Sequence, residues 1–353
     1  ASQIQLFLAE EFGFPKMVAM LPKWGAGERT PEVVKETLGV TTDELDRRFR
    51  AWLTKRLARY AKQYVPDMHA PPLDDARKAV QREPKNPKRY VELAIALMDE
   101  HQREEADAVL GEALRLDPKQ PDANFVKVRI AISTKDYDGA SRGLAKMIAD
   151  GSDGYAVRLV AAGLAEKAKD TNRERASLEA ASNLDPSQEE PVRDLLRMAR
   201  KRKDDVAELA LLRKLAFIDQ HDRRTWDRLL EMLIERGQWD EAKKIGESAM
   251  FVDVKSAKVH RLYARALART GNFISAVYEL NSALVCHPKP ADQAEIYGEL
   301  AKAYDKLGKP DYAKDARSFA ETTGKGSAQK ELDDAAHGKR GHGQQAPHPD
   351  DDD

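Results

Sequence analysis

The sequence predicts an all-α protein in which two-helix units repeat along most of the chain and stack into an α-solenoid. Three observations support this fold class. Apolar residues recur at helical spacing, the same pattern returns after about 34 residues, and single glycines separate the paired helices. Charged residues make up 34% of the chain and hydrophobic residues 41%, a balance that suits a thin helical array better than a compact enzyme.

The repeat is clearest between residues 225 and 285. One unit carries Trp226, Leu229, Leu230, Leu233, Gly237, Trp239, Ala242 and Ala249. The next unit carries His260, Tyr263, Ala264, Leu267, Gly271, Phe273, Ala276 and Ala283 at the same spacing. Apolar residues at i, i+3, i+4 and i+7 form one face of a helix, and the glycine ends that helix. The alanines let two helix backbones approach closely, so larger side chains there should cost about 1–3 kcal/mol.

Further units precede and follow this pair. An early unit opens at Pro87 and carries Tyr90, Leu93, Ala94, Leu97, Ala106, Leu110, Ala113 and Pro118. A late unit carries Tyr297, Leu300, Ala301, Tyr304, Gly308, Ala313 and Ala320. The intervening units are weaker, because Lys135, Lys169 and Lys203 replace the turn glycine while Glu174 and Glu208 replace the first alanine. We expect local distortion there.

These residues resemble the tetratricopeptide repeat (TPR) over residues 87–323. The resemblance implies a right-handed α-solenoid of about seven two-helix TPR units. It also implies a protein–protein interaction scaffold, whose partners bind the surface lined by the first helix of each unit.

Residues 1–65 do not follow the repeat and predict a small helical segment, with helix starts near Thr30 and Thr42. This segment resembles the C-terminal part of a peptidase MA-like domain of the gluzincin type. The residues that carry the resemblance are Phe12, Gly13, Trp24, Leu38, Gly39, Phe49 and Trp52. The resemblance leaves an alternative open: the chain is the non-catalytic C-terminal part of a bacterial zinc metallopeptidase whose HExxH half lies upstream.

Two segments flank the repeats. Residues 66–86 contain four prolines and predict a connector around a short helix from Leu73 to Gln81. Residues 324–353 are nearly free of apolar side chains and predict a disordered tail rich in His and Asp.

Catalytic motifs are missing from the sequence. No HExxH, GxSxG, Walker loop or glycine-rich dinucleotide turn occurs in the sequence. We therefore expect this chain not to be an enzyme and to need no cofactor. Zinc would be needed only if an upstream peptidase domain exists. His101, His221, His260 and His287 stand singly and receive no role. His337, His342 and His348 could bind metal loosely beside the terminal aspartates, although a solvated tail is the simpler interpretation. Cys286 is expected to be an inert thiol.

Basic residues on successive first helices are the candidate partner site. They are Arg193, Arg197, Arg200, Arg224, Arg228, Lys258, Arg261 and Arg265. Their spacing could form a basic stripe that binds an acidic extended peptide or C-terminus. Asp194, Asp227 and Glu231 are interleaved, so a neutralised, solvated face is the alternative.

Global charge favours neither nucleic acid nor an anionic membrane, because 59 Lys and Arg stand against 60 Asp and Glu. No apolar run reaches the roughly 18 residues of a membrane span, and no signal peptide begins the sequence. A cytoplasmic and an extracytoplasmic bacterial location both remain open.

Overall fold

The computed structural model describes residues 2–336, with side chains described from residue 3 to residue 325. Within that part every regular element is a helix, which confirms the predicted all-α fold. The helices are α1 (Ser2–Phe12), α2 (Phe14–Gly25), α3 (Thr30–Leu38), α4 (Thr42–Leu57), α5 (Leu73–Arg82), α6 (Pro87–Asp99), α7 (Arg103–Leu116), α8 (Pro121–Ser133), α9 (Tyr137–Ala149), α10 (Tyr155–Lys167), α11 (Thr171–Leu184), α12 (Glu190–Arg202), α13 (Asp205–Ile218), α14 (Arg223–Glu235), α15 (Trp239–Val252), α16 (Ala257–Arg269), α17 (Phe273–Val285), α18 (Pro290–Lys306) and α19 (Pro310–Ala336).

The chain divides into two compact units between Pro191 and Val192, here called unit 1 and unit 2. Unit 1 contains α1 to α11, and unit 2 contains α13 to α19 together with α12 from Val192 onward. Among the described helices, none combines the length and the apolar character that crossing a membrane requires.

Phe7 of α1, which is 1% exposed, packs against aromatic side chains of α4, while α2 and α3 bury Met20, Val33, Val34 and Leu38. The Phe7 ring lies 5.5 Å from the ring of Phe49 and 5.7 Å from the ring of Trp52, measured between centroids. The side chain of Thr41, rather than Thr42, caps α4 by accepting a hydrogen bond from the backbone N–H of Glu44. The capping position therefore lies one residue before the predicted one.

Helices α6 to α19 form seven consecutive pairs, whose first helices start at residues 87, 121, 155, 190, 223, 257 and 290. The successive starts differ by 33 to 35 residues, so the period predicted from the sequence is present in the backbone. Helix α19 continues past Gly324 to Ala336. The predicted tail histidines, His337, His342 and His348, lie outside the described residues.

The turns between paired helices keep one geometry, including at the lysines where we expected distortion. Lys135, Lys169 and Lys203 have φ of 63°, 58° and 57°, in the left-handed region that Gly237 occupies at 66°. Each turn also closes with a backbone hydrogen bond of 2.8 to 3.0 Å, such as that from the N–H of Asp170 to the carbonyl of Ala165. The lysines therefore preserve the turn and carry the steric cost of a Cβ in that conformation.

The cores within the pairs consist of the predicted apolar positions. The alanines that open the second helices, Ala106, Ala140, Ala242, Ala276 and Ala313, are fully buried. Glu174 and Glu208 occupy the same position in α11 and α13 and are only 6% exposed. Two repeats thus place a carboxylate where the others place a methyl group.

Candidate functional site

The segment of residues 60–70, here called the bridging segment, crosses the repeat helices of unit 1; residues 60–63 form a turn, and residues 64–70 have no regular secondary structure. The side-chain amide of Gln63 donates to the carbonyl of Leu184 at 2.7 Å. The backbone N–H of Tyr64 donates to the carbonyl of Asp153 at 2.8 Å, and the Tyr64 hydroxyl donates to Asp122 Oδ1 at 2.6 Å. These contacts attach the segment to α8, to the loop before α10 and to the end of α11.

Apolar and ionic contacts complete the attachment. The Tyr64 ring packs edge-on against Phe125 with a centroid separation of 6.1 Å. Met68 packs against the apolar clusters of both the α6–α7 and the α8–α9 pairs. Asp67 Oδ2 lies 3.2 Å from Lys88 Nζ. Burial, followed by the hydrogen bond to Asp122, raises the pKa of Tyr64 far above its ordinary value, so the hydroxyl remains a donor.

The repeat side chains that hold the bridging segment occupy two positions of the first helices. Lys88 and Asp122 are the second residues of α6 and α8, and Phe125 is the fifth residue of α8. In unit 2 the second residues of α14 and α16 are Arg224 and Lys258, and the fifth are Asp227 and Arg261. Three of the predicted partner-binding residues therefore lie where unit 1 holds an extended segment.

The eight predicted cations lie on three first helices of unit 2. Helix α12 carries Arg193, Arg197 and Arg200, helix α14 carries Arg224 and Arg228, and helix α16 carries Lys258, Arg261 and Arg265. Arg193 pairs with Asp219 and Asp222 at 3.0 Å, and Arg197 pairs with Asp194 at 3.1 Å. The exposed Arg224 has no ion-pair partner among the described side chains. The cations thus lie on adjacent helices, but carboxylates separate most of them.

Glu208 joins α12 to α14. Its Oε1 lies 2.9 Å from Arg200 Nε and 3.3 Å from Arg228 Nε. Burial opposes ionisation of this carboxyl, but the hydrogen bonds from the two guanidinium groups outweigh it and lower the pKa of Glu208. The carboxylate that replaces an alanine is therefore charged and shared by two first helices.

Further acids continue this network toward α18. Glu231 lies 3.6 Å from Arg228 and 2.5 Å from Lys258. Arg261 pairs with Glu295, and with Glu299 at 2.9 Å, while Arg265 lies 4.0 Å from Glu299. Arg261 is the most buried of these cations, because two carboxylates of α18 cover it.

Two open cavities lie along this face. One has a volume of about 570 Å³ and is lined by α14, α16 and α18, with Lys258, Arg261 and Arg265 facing Glu231 and Asp292. His287 and Lys289 add further basic groups to its wall. The other cavity, of about 600 Å³, includes Arg193, Arg200 and Arg224, but Arg197 and Arg228 line neither.

Two carboxylate oxygens, one on α14 and one on α18, have no hydrogen-bond donor among the described residues. They are Asp227 Oδ1 and Glu299 Oε2, both buried. Burial is the main cause that raises the pKa of Asp227, and Lys258 only partly opposes it. These buried oxygens are not accessible to a ligand in this arrangement of the face.

His260 takes the place of Trp226 in the preceding repeat and is 5% exposed. Its Nδ1 lies 2.7 Å from Glu279 Oε2, and its Nε2 lies 2.9 Å from the carbonyl of Val254. Both partners are acceptors, so both ring nitrogens must carry protons. Burial lowers the pKa of His260, but the hydrogen bonds to Glu279 and to Val254 outweigh it and raise the pKa. This geometry favours the protonated, charged form of the imidazole.

Among the side chains that the structure describes, no group of three His, Cys, Asp or Glu residues is arranged to hold a metal ion. Burial raises the pKa of Cys286, in keeping with the inert thiol that we expected. Sequence reasoning missed the acids that pair with the predicted cations: Glu208, Asp219, Asp222, Glu295 and Glu299. The replacement of a core alanine by Glu208, between helices rich in arginine, is the signal that could have found the first of them.

Comparison with known proteins supports the repeat assignment over part of the chain. A family model described as "Tetratricopeptide repeat" matches residues 97–163. This match includes α8, whose Asp122 and Phe125 hold the bridging segment. No curated protein matches the chain.

Solved structures with similar helix arrangements share little sequence with it. MamA is 13% identical with a TM-score of 0.39, covering 50% of this chain and 94% of MamA. The MamA fragment from Desulfovibrio magneticus RS-1 is 10% identical with a TM-score of 0.36, covering 49% of this chain and 96% of that one. A tetratricopeptide repeat protein from Parabacteroides merdae is 13% identical with a TM-score of 0.37, covering 67% and 93%. The family match supports the TPR resemblance predicted from the sequence over residues 97–163.

Proposed function

We propose that the chain is a protein–protein interaction scaffold, and that unit 2 binds an extended segment of a partner across α14, α16 and α18. One observation carries the proposal: the first helices of unit 1 already hold an extended segment through their second and fifth residues. Lys258 and Arg261, which hold these positions in α16 of unit 2, line an open cavity of about 570 Å³. We therefore expect the second and fifth residues of the first helices to bind an extended segment in unit 2 as well.

The chemistry of this face favours an acidic segment. Lys258, Arg261, Arg265 and Lys289 line the cavity, while Glu231 and Asp292 are the acids in its wall. Neighbouring helices pack about 8–10 Å apart, so a segment crossing three first helices covers about 20 Å, or roughly six extended residues. The cations are solvated and already paired, so each new contact adds little and the affinity should be micromolar in order of magnitude.

Fluorescence anisotropy with a labelled acidic peptide of about ten residues tests this proposal. The informative variant is Lys258→Gln with Arg265→Gln, because both side chains are about half exposed and neither is needed for the core. Binding should weaken about tenfold, which corresponds to about 1.4 kcal/mol, and should weaken further at high salt.

The matched control removes the same two charges from second helices, as Lys244→Gln with Lys314→Gln. Both control residues are exposed, on α15 and α19. The control should bind like the wild type. Equal affinity for all three proteins would contradict the placement of the ligand on the first-helix face.

A second candidate function is the one implied by the peptidase MA-like resemblance, in which the chain is the C-terminal part of a zinc metallopeptidase. One structural observation favours it: Phe14, Val18 and Leu21 form an exposed apolar row on α2 at i, i+4 and i+7. Such a row is typical of a surface that packs on further protein. The encoded sequence upstream of Ala1 tests this candidate. An HExxH there, with zinc bound by the longer protein, would support it, and an encoded sequence with only an initiator Met or a signal peptide before Ala1 would overturn it.

A further inference from the structure

The first-helix face of α6, α8 and α10 is already occupied by part of the chain itself. The bridging segment crosses it between α4 and α5 without regular secondary structure from Tyr64 to Pro72. Its hydrogen bonds come from both backbone and side chains, and they reach α8, the loop before α10 and the end of α11. A bound extended peptide uses the same two kinds of contact, main-chain hydrogen bonds for affinity and side-chain pockets for specificity.

At Gly154 the bridging segment packs closely against the repeat backbone, as a peptide does in a groove shaped to hold it. Gly154 precedes α10, and a Cβ added there would overlap the carbonyl oxygen of Tyr64. The φ of Gly154 is −174°, which is extended backbone open to any residue. Its lack of a side chain is therefore not required by backbone conformation, but it is required by the contact with the bridging segment.

The groove is specific for particular side chains of its occupant. Asp122 receives the tyrosine hydroxyl, Lys88 receives the acid three residues later, and two apolar clusters receive the methionine that follows. The bound sequence thus reads Tyr, two intervening residues, Asp and Met, corresponding to Tyr64, Asp67 and Met68. Val65, between them, is 76% exposed and contributes little.

We propose that this face of unit 1 is a second peptide-binding groove, and that it takes an extended Tyr-x-x-Asp-Met segment of a partner in competition with the bridging segment. The proposal does not depend on the binding of an acidic peptide by unit 2, because it concerns other helices and another ligand. The tether gives the bridging segment an effective concentration in the millimolar range. A partner segment therefore displaces it only when the partner binds better than a tethered copy does.

A synthetic, labelled peptide with the sequence of residues 59–72 is the probe. In the test protein, residues 60–70 of the full chain are replaced by a Gly/Ser sequence of equal length, so that α1 to α4 remain tethered. The peptide should bind this protein at least tenfold more tightly than it binds the wild type, because its groove is empty. Equal affinity for both proteins, or no binding to a replaced chain of unchanged helix content and melting temperature, would overturn the proposal.

Two glycine variants of the replaced chain locate the bound peptide. Gly154→Ala should reduce the affinity at least tenfold, since its Cβ would overlap the peptide backbone. Gly163→Ala, on α10 with open space around its Cβ position, should leave the affinity unchanged. Equal effects of the two substitutions would contradict binding in this groove.

Hydrogen exchange on the unmodified chain covers the case in which the replaced chain does not fold. The Tyr64 N–H, bonded to the Asp153 carbonyl, should exchange severalfold faster when unlabelled peptide is added well above the roughly millimolar effective concentration of the tethered segment. An unchanged exchange rate at saturating peptide would mean that the bridging segment is not displaced, and the proposal would be wrong.

Discussion

Arg228 on α14 and Arg200 on α12 donate to the same oxygen of Glu208, at 3.3 Å and 2.9 Å, and so share one buried carboxylate. Ala242 and Ala276 occupy the corresponding position in the next two repeats. The charge network on the first-helix face is therefore anchored at a site that other repeats fill with a methyl group.

This arrangement predicts that removing the carboxylate and removing the two arginines change the free energy of unfolding by different amounts. Glu208→Ala restores the small residue of the repeat and frees two half-exposed arginines, so it should change the free energy of unfolding by less than about 1 kcal/mol. Replacing both partners, as Arg200→Met with Arg228→Met, leaves the carboxylate buried without a cation and should cost about 3 kcal/mol. Urea denaturation compares the three proteins. A greater loss from Glu208→Ala than from the double variant would contradict the assigned role of Glu208.

The left-handed lysines predict stabilising substitutions. Lys169→Gly removes a Cβ from a turn with φ of 58° and should stabilise the chain by about 1 kcal/mol. Gly271→Ala introduces a Cβ at φ of 84° with no neighbour within 4 Å, so it should destabilise by a similar amount through backbone strain alone. Thermal denaturation of both variants and the wild type shows which substitution stabilises the chain and which destabilises it. A destabilising Lys169→Gly would show that the lysine side chain, rather than the turn, determines stability there.

His260 predicts a pH dependence of stability. Its pKa in the folded chain is raised above the ordinary value near 6.5, so the stabilisation from its charged form is complete below about pH 6.5. The stabilisation is lost as the pH rises through the raised folded-state pKa. Relative to His260→Gln, the wild type should therefore lose stability as the pH rises above about 6.5. Urea midpoints of the two proteins below and above that pH are the measurement, and parallel curves would contradict a doubly protonated His260.

The periodic part of this fold could be predicted from the sequence because helix packing imposes its own spacing. Leu229, Leu233 and Ala242 are buried as their places in the pattern require. The conformation of Lys135 could not be predicted, because the tertiary closure of each pair outweighs the preference of lysine against positive φ. The replacement of the turn glycine by lysine predicted a distorted turn, whereas the turn keeps its geometry.

The candidate sites were predicted less completely. The cations of α12, α14 and α16 were found from helical spacing, but their acidic partners come from other helices and share no short-range pattern with them. Tyr64 and Met68 lie in a segment with no periodicity, and their role follows only from contacts with residues distant in sequence, such as that of Tyr64 with Asp122. Irregular segments reveal their binding role only in three dimensions.

Site-specific photo-crosslinking tests the central claim, that the first-helix face of unit 2 holds a partner segment. A photoreactive amino acid is placed at residue 258 on α16 or, as the control, at the exposed residue 244 on α15. A labelled acidic peptide is then irradiated with each protein. We expect a crosslink from residue 258 that excess unlabelled peptide prevents, and little or no crosslink from residue 244. A competed crosslink from residue 244 with none from residue 258 would contradict it.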